Sequence, residues 1–276
     1  MSRTTASSER AATLSLALRE ERQFPELLGG YSVELSEAHL VVNEKVPVPR
    51  FNFVQDARCG AGRVAAFVER TLEHYYQRAL RPTFELPKDV HQPALEHALE
   101  LSGYLPKGRE HRRHLLLWNG QGPPPAVSNR DEVRVETLSD DELPTLVDLL
   151  VESNARYREE VRRYLEVGMG HPNPGERVVP YVARTGSGAV SFGVLLSHAT
   201  GSGLYAVGTP TSERARGYAS RLVAEVLRRE APRSPFPFCI SAQGTTPPRP
   251  LLEMGFEVGQ SFEVFEMSAE TARKGF

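Results

Sequence analysis

The stretch Arg214-Ala-Arg-Gly217-Tyr-Ala219 places two guanidinium groups, a glycine and a small residue within six positions. Directly after it, Ala219, Leu222, Val223, Val226 and Leu227 recur at i, i+3, i+4, i+7 and i+8, the stripe of an amphipathic helix. Arg221, Glu225, Arg228 and Arg229 fall on the opposite face, and Pro232 ends the run. Directly before it, Leu204–Thr209 reads as a strand. A strand that turns into a helix leaves the first-turn N–H groups without intrahelical acceptors and concentrates partial positive charge at the helix start. That arrangement suits a phosphate or diphosphate. Gly217 removes a Cβ where an anion must approach the backbone, Ala219 keeps the first turn slim, and Arg214 and Arg216 add charge. The chemistry implied is capture of a phosphorylated ligand.

Such a turn works only if the surrounding elements hold it at the end of a sheet. Val133, Val135 and Leu138 predict an opening strand. Ser139-Asp-Asp-Glu142 then supplies cap-type residues for a helix carrying Leu143, Leu146, Val147, Leu149 and Leu150. A charged second helix is expected around Tyr157–Val167, broken by His171-Pro-Asn-Pro-Gly175. Three short strands follow: Val178–Arg184, then Ala189–Ser197 with Val190, Phe192, Val194 and Leu196 alternating, then Leu204–Thr209. The turns Thr185-Gly-Ser-Gly188 and Thr200-Gly-Ser-Gly203 make them an antiparallel meander. After the helix, Pro237–Ser241 predicts a buried strand, Pro250–Met254 a short helix closed by Gly255, and Phe262–Met267 a last strand. Strand, helix and strand between 204 and 241 allow a right-handed crossover between parallel neighbours. Open α/β sheets bind ligands beyond the carboxyl ends of such neighbours. The expected fold class is α/β, a mixed sheet with an antiparallel meander and one parallel pair.

The clearest break in the 276-residue chain is Asn119-Gly-Gln-Gly-Pro-Pro-Pro-Ala-Val-Ser-Asn129, where three prolines supply no backbone donors. It predicts a scaffold domain over 1–118, a linker over 119–131 and the ligand-binding domain over 132–276. The first region has a helix-like run, Ala61–Leu80, a strand candidate, Pro82-Thr-Phe-Glu-Leu86, and a helix, Ala94–Leu101. Its Leu99-Glu-Leu-Ser-Gly103-Tyr104 echoes Leu251-Leu-Glu-Met-Gly255-Phe256. Trp118 is assigned to its last strand. The Ala11, Leu14, Leu16, Leu18 stretch, ringed by Arg and Glu, reads as a short surface helix, and no apolar run there is long enough for a signal peptide or a membrane span.

Composition narrows the field. Hydrophobic residues make up 40% and charged residues 25%, which suits a globular core. The 33 basic and 35 acidic residues leave a formal charge of −2, without the basic excess of a nucleic-acid binder. Two distant cysteines, Cys59 and Cys239, have neither disulfide-framework nor metal-type spacing and fit a reducing cytoplasm. The expected partners exclude nucleic acid and membrane, and no metal is expected.

The loop Arg214-Ala-Arg-Gly217-Tyr-Ala219, with Val207-Gly208-Thr209-Pro210 before it and Leu251-Leu-Glu-Met-Gly255-Phe256 after it, resembles the GNAT (GCN5-related N-acetyltransferase) superfamily, whose diphosphate loop reads Gln/Arg-x-x-Gly-x-Gly/Ala. The likeness covers most of 132–276, and 1–118 resembles the degenerate first half of tandem members. It implies acetyl-CoA as co-substrate, held by Val207, Gly208, Thr209, Arg214, Ala215, Arg216, Gly217, Tyr218, Ala219 and Ser220. It also implies transfer of an acetyl group by direct attack of an amine, from a small molecule or a protein, and allows a homodimer. The family's proton-donating tyrosine, four residues before the Gly-Phe glycine, is replaced here by Leu251, and Gly244 stands near the place of an asparagine thought to contact pantetheine. Ser241, His198 and Tyr205 are the remaining catalytic candidates. Glu159 and Glu160 could attract a cationic amine, within an acceptor region spanning roughly Arg156–Pro174. Three readings stay open at this point: an N-acyltransferase, a non-catalytic acyl-CoA-binding or regulatory protein of the same fold, and an interaction protein whose arginine-rich helix start only imitates the loop.

Overall fold

The computed structural model describes residues 3–118, 133–153, 162, 177–198, 201–230, 232–233, 238–269 and 271. The linker expected at 119–131, the body of the charged helix around 157–167 and the break at 171–175 lie outside the described residues.

Among the described residues, twelve strands form one sheet. The first half contributes α1 (Arg3–Leu27), β1 (Tyr31–Glu34), β2 (His39–Val42), β3 (Phe53–Gln55), α2 (Val64–Tyr76), β4 (Thr83–Pro87), α3 (Pro93–Leu101), β5 (Tyr104–Pro106) and β6 (Arg113–Trp118). The second contributes β7 (Arg134–Thr137), α4 (Leu143–Ser153), β8 (Arg177–Thr185), β9 (Gly188–His198), β10 (Gly201–Gly208), α5 (Tyr218–Glu230), β11 (Phe238–Gln243), α6 (Arg249–Glu253) and β12 (Phe256–Met267). The meander β8-β9-β10 and the parallel pair β10/β11 follow the expected pattern. A second parallel pair, β3/β4, occurs in the first half.

The strand order is β1-β2-β3-β4-β12-β6-β11-β10-β9-β8-β7, with β5 pairing β12. Strand β6 of the first half therefore lies between β11 and β12 of the second. The far end of β12 lies in turn between β4 and β5 of the first half. Each half completes its sheet with a strand of the other.

The two halves repeat one unit. Val54↔Phe84 in the first parallel pair corresponds to Leu204↔Ile240 in the second. Two residues beyond Val54 and Leu204, the chain takes a left-handed conformation, at Asp56 (φ 53°) and at Ala206 (φ 50°). The short helices α3 and α6 both close on a left-handed glycine, Gly103 (φ 81°) and Gly255 (φ 89°), followed by a buried aromatic residue. Glycine suits that position because an added Cβ strains it. On this correspondence Glu85 is the mate of Ser241, and Arg113 the mate of Phe262, its own cross-strand partner.

Side chains sort by strand alternation into two faces. Leu222, Val223, Val226 and Leu227 of α5 pack with Leu204, Leu116, Ile240 and Phe256 on one face. On the same face α2 and α3 cover Val54, Phe84 and Phe265. The other face is covered by α1 and α4, over Leu115, Leu117, Phe192, Tyr205, Cys239 and Phe262.

Three expectations are corrected. Helix α1 is not a short surface helix: it runs 25 residues, contacts β1, β2, β9 and β10, and buries Ala17, Glu20 and Glu21. The polar residues on its buried side obscure the apolar stripe. Gly201 and Gly203 belong to β10 rather than to a turn, and their missing side chains make room for Glu20 and for the Tyr205 ring. The last strand begins at Phe256, six residues ahead of Phe262, because β6 supplies a partner for that stretch. No helix among the described residues is long and apolar enough to cross a membrane.

Candidate functional site

The parallel ladder between β10 and β11 ends at Leu204↔Ile240. Past that point β11 stays flat against β6, through Ser241↔Leu115, Ala242↔His114 and Gln243↔Arg113. Strand β10 does not follow it. Its register with β9 slips between Tyr205 and Gly208, an extra residue accommodated by Ala206 at φ 50°. A bulge bends its strand and turns backbone groups out of the ladder. The two parallel strands thus part at Tyr205 and Ser241, opening a cleft between 205–208 on one side and 241–243 on the other.

From the cleft the chain passes to the arginine loop. Gly208 pairs with Phe192, and an added Cβ would lie 2.3 Å from that ring, so packing excludes a side chain here. Ser191 Oγ donates to the Gly208 carbonyl (2.7 Å) and lies 3.1 Å from Thr209 Oγ1. Arg214 Nε donates to the Thr209 carbonyl at 3.2 Å, drawing the loop back onto the strand end. Arg216 Nη1 meets Glu213 at 3.2 Å. Ala215 (φ 63°) and Gly217 (φ 81°) are left-handed, with Arg216 between them outside that region. Alternation of this kind turns successive N–H groups toward one concave side, an anion-binding nest.

Helix α5 then begins. Its first bond runs from Arg221 N–H to the Gly217 carbonyl at 3.0 Å, so the N–H groups of Tyr218, Ala219 and Ser220 lie ahead of it at the helix start. An added Cβ at Gly217 would meet nothing within 4 Å, so this glycine serves backbone conformation and approach rather than close packing. Tyr218 is buried in the α5 core, Ala219 and Ser220 are half-buried, and Arg214 and Arg216 are exposed. Open space, outward N–H groups and two flanking arginines fit a diphosphate. Val207, half-buried beside the bulge, carries the cleft from this cradle to its apex.

The catalytic candidates fall in three different places. His198 ends β9 opposite Gly201, at the start of β10, about 16 Å along the strand from the bulge. Tyr205 is buried; its ring folds over Gly203 and its hydroxyl lies 3.5 Å from Cys239 Sγ. Burial holds the Tyr205 phenol well above its ordinary range and pushes the Cys239 thiol up to about 12, so both keep their protons. Ser241 alone of the three lies at the apex, half-buried, with Arg113 Nη1 donating to its Oγ at 3.4 Å. Leu251 is buried against the α5 core and brings no donor. Glu159 and Glu160, and the acceptor region 156–174 apart from Arg162, lie outside the described residues.

Sequence reasoning missed the polar cluster beneath the apex. Arg113 pairs with Glu21 of α1 through Nη1 and with Glu85 of β4 through Nη2. Its guanidinium stacks on the Phe262 ring, 4.3 Å from the centroid. Gln55 donates to Glu85 at 2.8 Å, and Arg22 links Gln55 to Asp56. Burial raises the Glu21 carboxyl above its usual value, opposed by the charge of Arg113. Nearby, buried His114 has Nε2 3.0 Å from the Gly244 carbonyl and Nδ1 2.8 Å from Ser261 Oγ, which pins the turn after β11. The Gly244 carbonyl only accepts, so Nε2 carries a proton and donates it there. The signal for this cluster was Glu-Glu-Arg at 20–22 on an otherwise alanine- and leucine-bearing helix.

No protein-family model and no curated protein matches the chain. Among solved structures, a GCN5-related N-acetyltransferase from Kribbella flavida is similar at a TM-score of 0.65 and 14% identity, over 93% of this chain and 97% of that one. One from Sphaerobacter thermophilus is similar at 0.63 and 17%, over 83% and 76%. A functionally unknown conserved protein from Staphylococcus epidermidis is similar at 0.67 and 10%, over 87% and 95%. A match over nearly the whole length of both chains takes in the two halves together. The chain has the fold of the GCN5-related N-acetyltransferases.

Proposed function

We propose that the chain is an N-acyltransferase that uses acetyl-CoA and transfers the acetyl group directly to an amine of a small molecule or a protein. The observation that carries this reading is the continuity of the bulged cleft at 205–208 with the nest at 214–217 and the start of α5. The nest and the helix start would hold the diphosphate, with Arg214 and Arg216 flanking it. The half-buried edge of β10 at 206–208, where the ladder with β11 has ended, would hold the pantetheine arm, and the apex at Ser241 would receive the reacting end. Acetyl-CoA supplies a thioester, whose C–S bond breaks as a C–N bond forms. Backbone N–H groups turned out at the bulge favour the oxygen that gains charge during attack. The acceptor must be neutral to attack, and it passes its proton to water or a nearby base. With free thiols of pKa about 8.5, the thiolate leaves near neutral pH without an obligatory acid, which accommodates leucine at 251. The unpaired cysteines suit a reducing cytoplasm, where we place the protein.

A coenzyme A release assay across small amines and peptide amines tests the reading. Turnover with at least one acceptor is expected, and acetyl-CoA binding without turnover on any of them would refute it. That second outcome is the mark of an acyl-CoA-binding regulatory protein, the reading favoured by a buried Leu251 where the family places its tyrosine.

A further inference from the structure

The cluster beneath the cleft belongs to both halves. Ser241 is the first residue of β11 beyond the parallel ladder, on the face shared with Cys239 and Gln243. The side chain that reaches it, Arg113, comes from β6, the strand that the first half inserts beside β11. That guanidinium is held through its two terminal nitrogens and one face, while its Nε is buried without a hydrogen-bond partner. Glu21 and Glu85 pair with its two terminal nitrogens, and Phe262 supports its plane. In the repeat, Glu85 stands where Ser241 stands, so one arginine near the internal twofold grips a carboxylate in the first half and a hydroxyl in the second. A serine hydroxyl that accepts from a fixed guanidinium must direct its own hydrogen elsewhere. The β10 neighbour that would cover Ser241 has bulged away, which leaves the cleft beside that hydroxyl.

We propose that Arg113 positions Ser241 so that its hydroxyl donates a hydrogen bond to the thioester sulfur as it leaves, which makes the first half a working part of the transfer site. The inference rests on the acyltransferase reading. Ser241 keeps its proton throughout: the C–S bond breaks, the C–N bond forms, the sulfur departs as thiolate stabilised by the hydrogen bond, and the proton lost by the amine goes to solvent. Arg113 acts only through Ser241, so it is a positioning residue. The role is open to serine because Leu251 leaves the tyrosine's task unfilled.

The test compares wild type, Ser241→Ala, Ser241→Thr, Arg113→Lys and the double variant Arg113→Lys/Ser241→Ala. A single donor aimed at developing charge contributes up to about 10²–10³-fold in kcat, and roughly tenfold or more is expected here. Ser241→Ala should lower kcat by that factor with the KM for acetyl-CoA unchanged, and Ser241→Thr should restore most of it. Arg113→Lys keeps a cation between Glu21 and Glu85 yet loses the fork that reaches Ser241, so kcat should fall without a matching loss of thermal stability. The double variant should be no slower than Ser241→Ala, since residues acting through one group are not additive. Unchanged kcat in Ser241→Ala overturns the proposal, as does a double variant whose losses multiply. If Arg113→Lys does not fold, the alanine and threonine variants decide alone. If wild type binds acetyl-CoA but acetylates no amine, the acyltransferase reading has failed separately. The sulfur contact is then read from binding: wild type should prefer CoA to desulfo-CoA, and Ser241→Ala should abolish that preference. An unchanged preference overturns the contact.

Discussion

Replacing Gly217 with alanine separates two consequences that are usually entangled. Gly217 sits at φ 81°, where an L side chain costs about 1–2 kcal/mol per residue. The added Cβ meets no atom within 4 Å, so no clash adds to that cost. For a chain of this size the loss corresponds to a fall in Tm of roughly 2–4 °C. Ligand binding should suffer independently. The methyl group would project into the open space before the N–H groups of Tyr218, Ala219 and Ser220. Loss of one hydrogen bond to a charged group is worth about 1.5–3 kcal/mol, or roughly 10–150-fold in Kd. Scanning fluorimetry without ligand reads the first effect, and calorimetric titration with acetyl-CoA at a temperature where both proteins are folded reads the second. Ala215→Gly is the control: it relieves φ 63° and should leave affinity unchanged, with stability equal or higher by about 0.5–1 kcal/mol. If Gly217→Ala loses stability as calculated yet binds acetyl-CoA within about twofold of wild type, the diphosphate does not sit at this helix start and the site assignment is wrong.

Three further outcomes are expected. Gly208→Ala drives a Cβ to 2.3 Å from the Phe192 ring and should destabilise by about 1–3 kcal/mol, read from urea midpoints; a neutral result would mean that the bulge relaxes freely. Glu21 has a folded-state pKa raised above 4.5, so its contribution to stability is present below that value and is lost as pH rises through the folded pKa. Wild type should therefore lose stability as pH rises above about 4.5, and Glu21→Gln should flatten that profile; an equally steep profile in the variant would assign the dependence to other groups. Cutting a protease site engineered within 119–131 should leave the two fragments bound one-to-one on size exclusion, because β6 and β12 each sit inside the other half's sheet. Fragments that separate under native conditions would contradict the strand order.

Much of the second half was legible because its signals are local. The alternation in β9, the stripe of α5 and the turn at 185–188 each reflect the geometry of neighbouring residues, and the structure places those elements within a residue or two of the expected bounds. The candidate site's loop was legible for the same reason, in the left-handed Gly217 and the exposed Arg214 and Arg216. What stayed hidden depends on distant partners or on backbone conformations that residue type does not announce. Ala206 and Ala215 are left-handed without being glycine, and the bulge and the nest both turn on them. Nothing beside Arg113 in sequence reveals Glu21, Glu85 or Phe262. Helix α1 hid its role because its buried side carries Glu20 and Glu21.

The exchanged strands also dictate an order of events during synthesis. When β6 leaves the ribosome, both of its neighbours are still unmade: Trp118 awaits Phe238 on one edge and Phe256 on the other. Strand β4 likewise awaits residues 262–265. Contacts this distant in sequence are slow to form, since a long loop must close before any of them stabilises the chain. Until β12 emerges, the nascent first half presents apolar strands such as Leu115-Leu-Leu-Trp118 with open edges, the state in which chains pair wrongly with one another. Folding of this protein is thus governed by its last strand, and translation speed and chaperone supply should set its yield more strongly than its final stability does.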